Sequence, residues 1–319
     1  MSDIGRRPLG DSGIEVPVVG LGCNNFGRRL DAASTARVVQ AALDEGIAFF
    51  DTADIYGNGL SEEYVGRALQ GRRDQAIIAT KFGMSMGSED RAGGSPQWIA
   101  HAVEDSLRRL GTDHIDLYQH HTPDETTPIE ETLAALDELV RQGKVRAIGC
   151  SNYSGAQIET ADAIARERGW AHYVTAQNQY SLLDRREVET DVTPACVRLG
   201  LGILPFFPLA SGLLTGKYRR GEQPPTGTRL GSEDDRAKHL MTDANFDIVE
   251  ALERFALARG IALIDVAIGG LAAHSAVVSV IAGATSAEQV AANARAGTWT
   301  PSASDLAELD RITTRSPEQ

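Results

Sequence analysis

The chain has 319 residues, 42% of them apolar, enough for one large buried core but too dispersed for a membrane-spanning run of about 18 apolar residues. Its 31 Lys and Arg against 44 Asp and Glu give a formal net charge of −13, which argues against nonspecific nucleic-acid binding because phosphate neutralisation needs clustered positive charge. Cys23, Cys150 and Cys196 lie far apart and form no CxxC pair, which argues against a disulfide scaffold and a structural zinc site.

Residues 1–16 lack the apolar core of a signal peptide, so the expectation is a cytoplasmic protein. Residues 7–9 and 14–16 flank Asp11-Ser12-Gly13 and predict a small hairpin capping the N-terminal mouth of the fold that follows. Short runs rich in Val, Ile and Phe then predict strands at 18–22, 47–51, 75–81, 115–121, 145–151, 174–177, 202–207 and 277–282. Helical patterns lie between them. Ser61-Glu62-Glu63 is read as one start signal, Ser95-Pro96 as another and Pro128-Ile129-Glu130-Glu131 as a third. Gly46, Gly111, Gly143, Gly169 and Gly200 each follow a helix, where a left-handed residue is wanted. Alternating strands and helices imply parallel βαβ units. Eight of them predict one (β/α)8 barrel domain spanning residues 1–319. The one long irregular segment, 210–243, is rich in Gly, Pro and charge, and is expected to serve function.

Barrel sites gather at the C-terminal ends of the strands. Those ends carry Asp51 with Tyr56 just beyond, Lys81, His120 and His121, Ser151 and Asn152, Gln177, and Phe206 with Phe207. Such a set suits proton delivery to a carbonyl oxygen as hydride reaches its carbon. A phenol has an ordinary pKa of about 10, and a neighbouring ammonium is expected to lower it by ~1–3 pH units. Asp51 would keep Lys81 charged, since an unpaired buried ammonium tends to lose its proton. A neutral histidine would hold the carbonyl oxygen by donating a hydrogen bond. Strand alternation turns His120 away from that oxygen, towards the barrel wall. The same alternation opposes a rival reading, a metal hydrolase built on His120, His121, Asp51 and Asp54, because adjacent histidines on a strand cannot easily share one ion.

Several ordered motifs carry a family resemblance. They are Phe50-Asp51-Thr52-Ala53-Asp54-Ile55-Tyr56-Gly57, Ile78-Ala79-Thr80-Lys81-Phe82-Gly83 and Ile115-Asp116-Leu117-Tyr118-Gln119-His120-His121. Gly143-Lys144-Val145-Arg146-Ala147-Ile148-Gly149-Cys150-Ser151-Asn152, Gln177-Asn178-Gln179-Tyr180-Ser181 and a stretch from Pro208 to Lys217 continue the series. Together they resemble the signatures of the aldo-keto reductases, on the side of the broad bacterial aldehyde and ketone reductases and the potassium-channel β-subunits. The resemblance implies an oxidoreductase that reduces aldehydes or ketones to alcohols with NAD(P)H. It also implies a catalytic tetrad of Asp51, Tyr56, Lys81 and His121, with Tyr56 as the acid. His121 is chosen over His120 on the family spacing Leu-Tyr-x-x-His.

No GxGxxG follows a strand, so a Rossmann mode of binding is not indicated. The resemblance instead places Ser151, Asn152 and Gln177 on the nicotinamide carboxamide and Phe206 stacked on its ring. Pro208, Leu209, Ser211, Gly212, Leu214 and Lys217 would drape over the pyrophosphate. Gly283, Thr285, Ser286, Gln289 and Asn293 would meet the adenosine end. Relatives often place a basic residue just after that glycine; this chain has only hydroxyls there. NADPH is the first expectation, with NADH possible. Asn24, Asn25, Phe26, Met84 and His121 are the expected substrate contacts, and a small aldehyde or ketone is the expected partner, with neither nucleic acid nor membrane. The rival from another class is a cofactor-binding regulatory or redox-sensing module of the same fold with little turnover.

Overall fold

The computed structural model describes residues 4–87, 91–231 and 235–314. Strands β1 (Arg6–Pro8) and β2 (Glu15–Pro17) pair antiparallel. Eight parallel strands follow: β3 (Val19–Gly22), β4 (Phe49–Asp51), β5 (Ile77–Phe82), β6 (Ile115–His120), β7 (Val145–Ser151), β8 (Tyr173–Gln177), β9 (Gly202–Ile203) and β10 (Val280–Gly283). They pair in the order β10-β3-β4-β5-β6-β7-β8-β9. Closure comes from parallel bridges Ile203–Val277 and Phe206–Ile281, with Val278 N donating to Ile203 O at 3.0 Å and Ile281 N to Pro205 O at 2.9 Å. The result is a (β/α)8 barrel with an N-terminal hairpin.

The last strands are shorter than the sequence predicts. Pro205 has no N–H to give, and Phe207 has a φ of 53°, so the chain after Ile203 keeps single bridges but no ladder. The hairpin fills the barrel bottom: Leu9, Ile14 and Val16 are buried in one apolar cluster with Phe49, Ala79, Leu117, Ala147 and Val174. Gly10 makes this approach possible, since a Cβ there would lie 2.8 Å from Val174 O.

Helices α1 (Ala32–Asp44), α2 (Leu60–Ala68), α3 (Pro96–Leu110), α4 (Ile129–Arg141), α5 (Gly155–Arg168) and α6 (Thr193–Leu199) cover the outside, one after each strand from β3 to β8. Helices α7 (Asp235–Leu240), α8 (Asp243–Arg259) and α9 (Leu263–Ala272) follow β9, and α10 (Ala287–Ala296) and α11 (Ala303–Thr313) follow β10. On α3, Ile99, Ala102, Val103, Ser106 and Leu110 recur at helical spacing and are buried; each large apolar side chain of this kind contributes about 1.5–3 kcal/mol. Ser95 caps that helix by accepting from Trp98 N at 3.2 Å, with Pro96 in its first turn. The five glycines expected in left-handed C-terminal positions all have positive φ. Ser61 behaves differently from the start signal it suggests: it is buried inside α2, bonding Cys23 O at 3.0 Å and Thr52 Oγ1 at 2.8 Å. It therefore ties the ends of β3 and β4 together.

Candidate active site

Period-two alternation sorts each strand into two faces. On β6, Leu117 joins the apolar cluster inside the barrel and Gln119 turns to Asp51 there, while Tyr118 joins the outer core. Asp51 ends β4 and Lys81 stands on β5, where both face inward and meet: Lys81 Nζ donates to Asp51 Oδ2 at 2.8 Å. The same ammonium donates to Thr52 O at 2.8 Å and lies 5.3 Å from the centre of the Tyr56 ring. The other carboxylate oxygen, Asp51 Oδ1, accepts from Gln177 Nε2 at 2.9 Å and from Gln119 Nε2 at 3.2 Å. Paired and hydrogen-bonded in this way, the buried charges hold: Asp51 and Tyr56 keep the Lys81 pKa above its ordinary value despite burial.

Tyr56 opens a tight turn in which Gly57, Asn58 and Gly59 have φ of 58°, 56° and 91°. A Cβ on Gly57 would lie 3.1 Å from Phe26 O and from Gly27 C, so glycine lets this turn seat against the loop after β3. The Tyr56 and His121 rings meet edge to face, with centroids 5.9 Å apart. Burial, helped by the neighbouring Lys81 charge, pushes the His121 pKa down to about 3, so its imidazole is neutral, and Nδ1 has no hydrogen-bond partner. The expected acidification of Tyr56 does not appear. Burial pushes the phenol pKa up and Asp51 adds to it, and together they outweigh the charge of Lys81.

His120 points outward, stacked on Phe82 at 4.9 Å and 3° between planes, with Nδ1 2.8 Å from the Tyr153 hydroxyl. It has no place beside the carbonyl position. Among the described residues no group of three or more His, Cys, Asp or Glu side chains is arranged to hold a metal.

A cleft of about 830 Å³ runs from Tyr56 and His121 across the ends of the strands. Asn24, Asn25, Met84, Ser151, Asn152 and Gln177 line it, as do Phe206, Pro208, Leu209, Ser211, Gly212 and Lys217. Gly283, Thr285, Gln289 and Asn293 line its far end. Three of the expected contacts do not line it. Phe26 and Leu214 are fully buried in the outer core, because both apolar side chains have more to gain from that core than from the cleft. Ser286 caps α10, accepting from Gln289 N at 3.4 Å. Two further expectations change in detail. The Gln177 amide nitrogen serves Asp51, and Asn152 Nδ2 holds His121 O at 2.9 Å, so these side chains also brace the catalytic set. Asn152 does so with a φ of 60°, which asparagine tolerates better than most residues.

Sequence reading misses the residues that the 210–243 segment and the loop after β3 bring in. Arg229 Nη2 donates to Asn24 Oδ1 at 2.8 Å and to Asn25 Oδ1 at 3.1 Å, and it reaches 4.0 Å from where a Cβ on Gly283 would sit. Arg28 and Arg29 also line the cleft. No local pattern marks these arginines; only the composition of a long segment hinted at a role. Ala210, Ser211 and Gly212 all have positive φ; the N–H groups of Ala210 and Gly212 bond Phe207 O at 2.9 Å and Leu209 O at 2.8 Å.

The profile of the Aldo/keto reductase family matches residues 18–314. A "Probable voltage-gated potassium channel subunit beta" of Oryza sativa subsp. japonica is 35% identical over 297 residues, 91% of this chain and 90% of the relative. The "L-glyceraldehyde 3-phosphate reductase" of Escherichia coli (strain K12) is 34% identical over 319 residues, 96% of this chain and 91% of the relative. A "Probable aldo-keto reductase 1" of Glycine max is 38% identical over 256 residues, 78% of this chain and 71% of the relative.

Proposed function

This chain belongs to the aldo/keto reductase family, and on that premise we propose that it reduces aldehydes and ketones to alcohols with NAD(P)H, Tyr56 supplying the proton. The observation that carries this is the convergence of Tyr56, the buried Lys81–Asp51 pair and a neutral His121 on one end of the cleft. The rest of the cleft fits an extended dinucleotide: a ring face at Phe206, a left-handed turn at Ser211 and Gly212, and cations at Lys217 and Arg229.

When bound, the reduced nicotinamide supplies the hydride that ends on the carbonyl carbon. His121, being neutral, orients the carbonyl oxygen by donating a hydrogen bond without adding a charge. Tyr56 gives its proton to that oxygen as negative charge develops there. Lys81 then faces the resulting phenolate with its ammonium, and Asp51 keeps that ammonium charged. Gln119 and Gln177 fix the carboxylate from its other oxygen. NADPH is the proposed donor, since Arg229 beside Gly283 supplies a guanidinium suited to a phosphate where the local sequence has none.

Tyr56→Phe is expected to lower reduction of 4-nitrobenzaldehyde by ~10²–10⁴-fold while NADPH affinity, read by fluorescence titration, stays near that of the parent. Reduction at a near-parental rate would overturn the assignment. Similarity to a potassium-channel β-subunit favours a second reading, a cofactor-binding regulatory module. Tight NADPH binding without turnover on a panel of carbonyl compounds would select it.

A further inference from the structure

Beyond Lys217 and Arg229, assigned above to the dinucleotide, the cleft carries two further arginines, Arg28 and Arg29. Arg28, Arg29, Lys217 and Arg229 line it in a chain of net charge −13, and the sole carboxylate among its described lining residues is Asp51, already held by Lys81. Three of the four cations have contacts in the protein. Arg29 Nη2 donates to Gly227 O at 2.7 Å, Arg229 binds Asn24 and Asn25, and Lys217 lies over the Tyr218 ring and against Gly212. Arg28 is the exception. Among the described residues its guanidinium makes no hydrogen bond or ion pair, and it is exposed.

Its place in the cleft is fixed by backbone. Gly27 packs so closely on α2 that a Cβ there would lie 2.4 Å from Leu60 Cβ, and Gly57 of the Tyr56 turn rests on Gly27 and Phe26. Arg28 follows directly, with its N–H bonded to Asn25 O at 3.3 Å. Its backbone is therefore carried beside the Tyr56 turn, in the loop whose Asn24 and Asn25 hold Arg229, while Lys217 stands by Gly212. A guanidinium offers a planar fork of donors matched to carboxylate and phosphate oxygens.

We infer that Arg28 is the anion subsite of the substrate pocket, so that the carbonyl compound reduced here carries a carboxylate or phosphate group. This rests on the reductase reading above. The anionic group binds to Arg28 and leaves unchanged; the carbonyl gains a hydride at carbon and the Tyr56 proton at oxygen, giving the hydroxy acid or the hydroxyalkyl phosphate.

The test compares matched pairs at low ionic strength with NADPH: 4-carboxybenzaldehyde against its methyl ester, and glyceraldehyde 3-phosphate against glyceraldehyde. For at least one pair, kcat/KM should favour the charged member by ~10-fold, a preference reduced by 0.3 M salt. Arg28→Gln should bring that ratio near 1 through KM rather than kcat, and Arg28→Lys should restore part of it. Which pair shows the larger ratio identifies the anion. Equal use of charged and neutral members by the parent, or an unchanged ratio in Arg28→Gln, would overturn the assignment while leaving the reductase reading intact. So would an Arg28→Gln variant that loses NADPH affinity and keeps the ratio, since Arg28 would then serve the cofactor. No turnover of any of the four aldehydes would overturn both readings.

Discussion

Lys81 Nζ lies 2.8 Å from Asp51 Oδ2, and both side chains are shut away from solvent. Burial opposes the Lys81 charge, and Asp51 supports it. Asp51→Asn should therefore leave a buried ammonium without its counter-charge, costing about 3–5 kcal/mol of stability and more than ~10² in kcat. Urea denaturation at pH 7 measures the first and aldehyde turnover the second. A variant as stable as the parent would mean that the pair contributes nothing net to folding.

The phenol of Tyr56 has a raised pKa, set by burial against the opposing pull of Lys81. On the proposed mechanism reduction uses the protonated phenol, and activity would fall only as pH rises through that pKa, above the ordinary value of about 10. The rate of 4-nitrobenzaldehyde reduction should thus be flat from about pH 7 to about pH 9. A basic limb near neutrality would show that the phenol is acidified during turnover.

His120 and His121 sit in the fold with pKa values of about 4 and about 3, both lowered first by burial. Their unfolded value is about 6.5. The stability they contribute is present above pH 6.5 and is lost as pH falls towards the folded values, because only the unfolded chain takes up those protons. His120→Leu removes one such uptake without touching the cleft. Its unfolding free energy should fall less steeply than the parent's between pH 6 and pH 4.5, by up to ~1.4 kcal/mol per pH unit. Parallel curves in urea titrations across this range would exclude a neutral buried His120.

Asp54 is buried with neither carboxyl oxygen hydrogen-bonded, and the nearby Tyr118 hydroxyl also has no partner. Burial, then the charge of Glu62, pushes the Asp54 pKa up to about 8. Glu62 itself is held by Arg109 at 2.6 Å and Thr80 at 2.5 Å. The unfolded pKa of Asp54 is about 3.9, so the stability linked to its proton is full below that value and is lost as pH rises to 8. The stability of Asp54→Asn relative to the parent should therefore rise from pH 5 to pH 8, by up to ~4 kcal/mol at ~1.4 kcal/mol per pH unit. An equal gap at both pH values would place the proton elsewhere.

Strand and helix alternation was legible because each βα unit repeats one hydrophobic pattern, and the inward face of each strand follows from period two alone. That same rule sends His121 to the cleft and His120 to Phe82 and Tyr153. The contacts of Ser61, Phe26 and Leu214 are not legible in the sequence, for a shared reason. Each lies near a functional motif, but its actual partner comes from another element, and contacts between elements leave no local trace.

Local period and residue type are enough to set the barrel, its hairpin plug and the residues at strand ends. How those residues work together depends on packing between elements. That packing placed Gln119 and Gln177 on the carboxylate that steadies Lys81. It set the direction of the Tyr56 pKa shift, because burial is a property of everything packed around the hydroxyl and the nearest charge is only one part of it. It also brought Arg229, 54 residues before Gly283 in the chain (283 less 229), to the end of the cleft where the local sequence offers no cation. Charge acts through space, so it could be located only once the chain was folded.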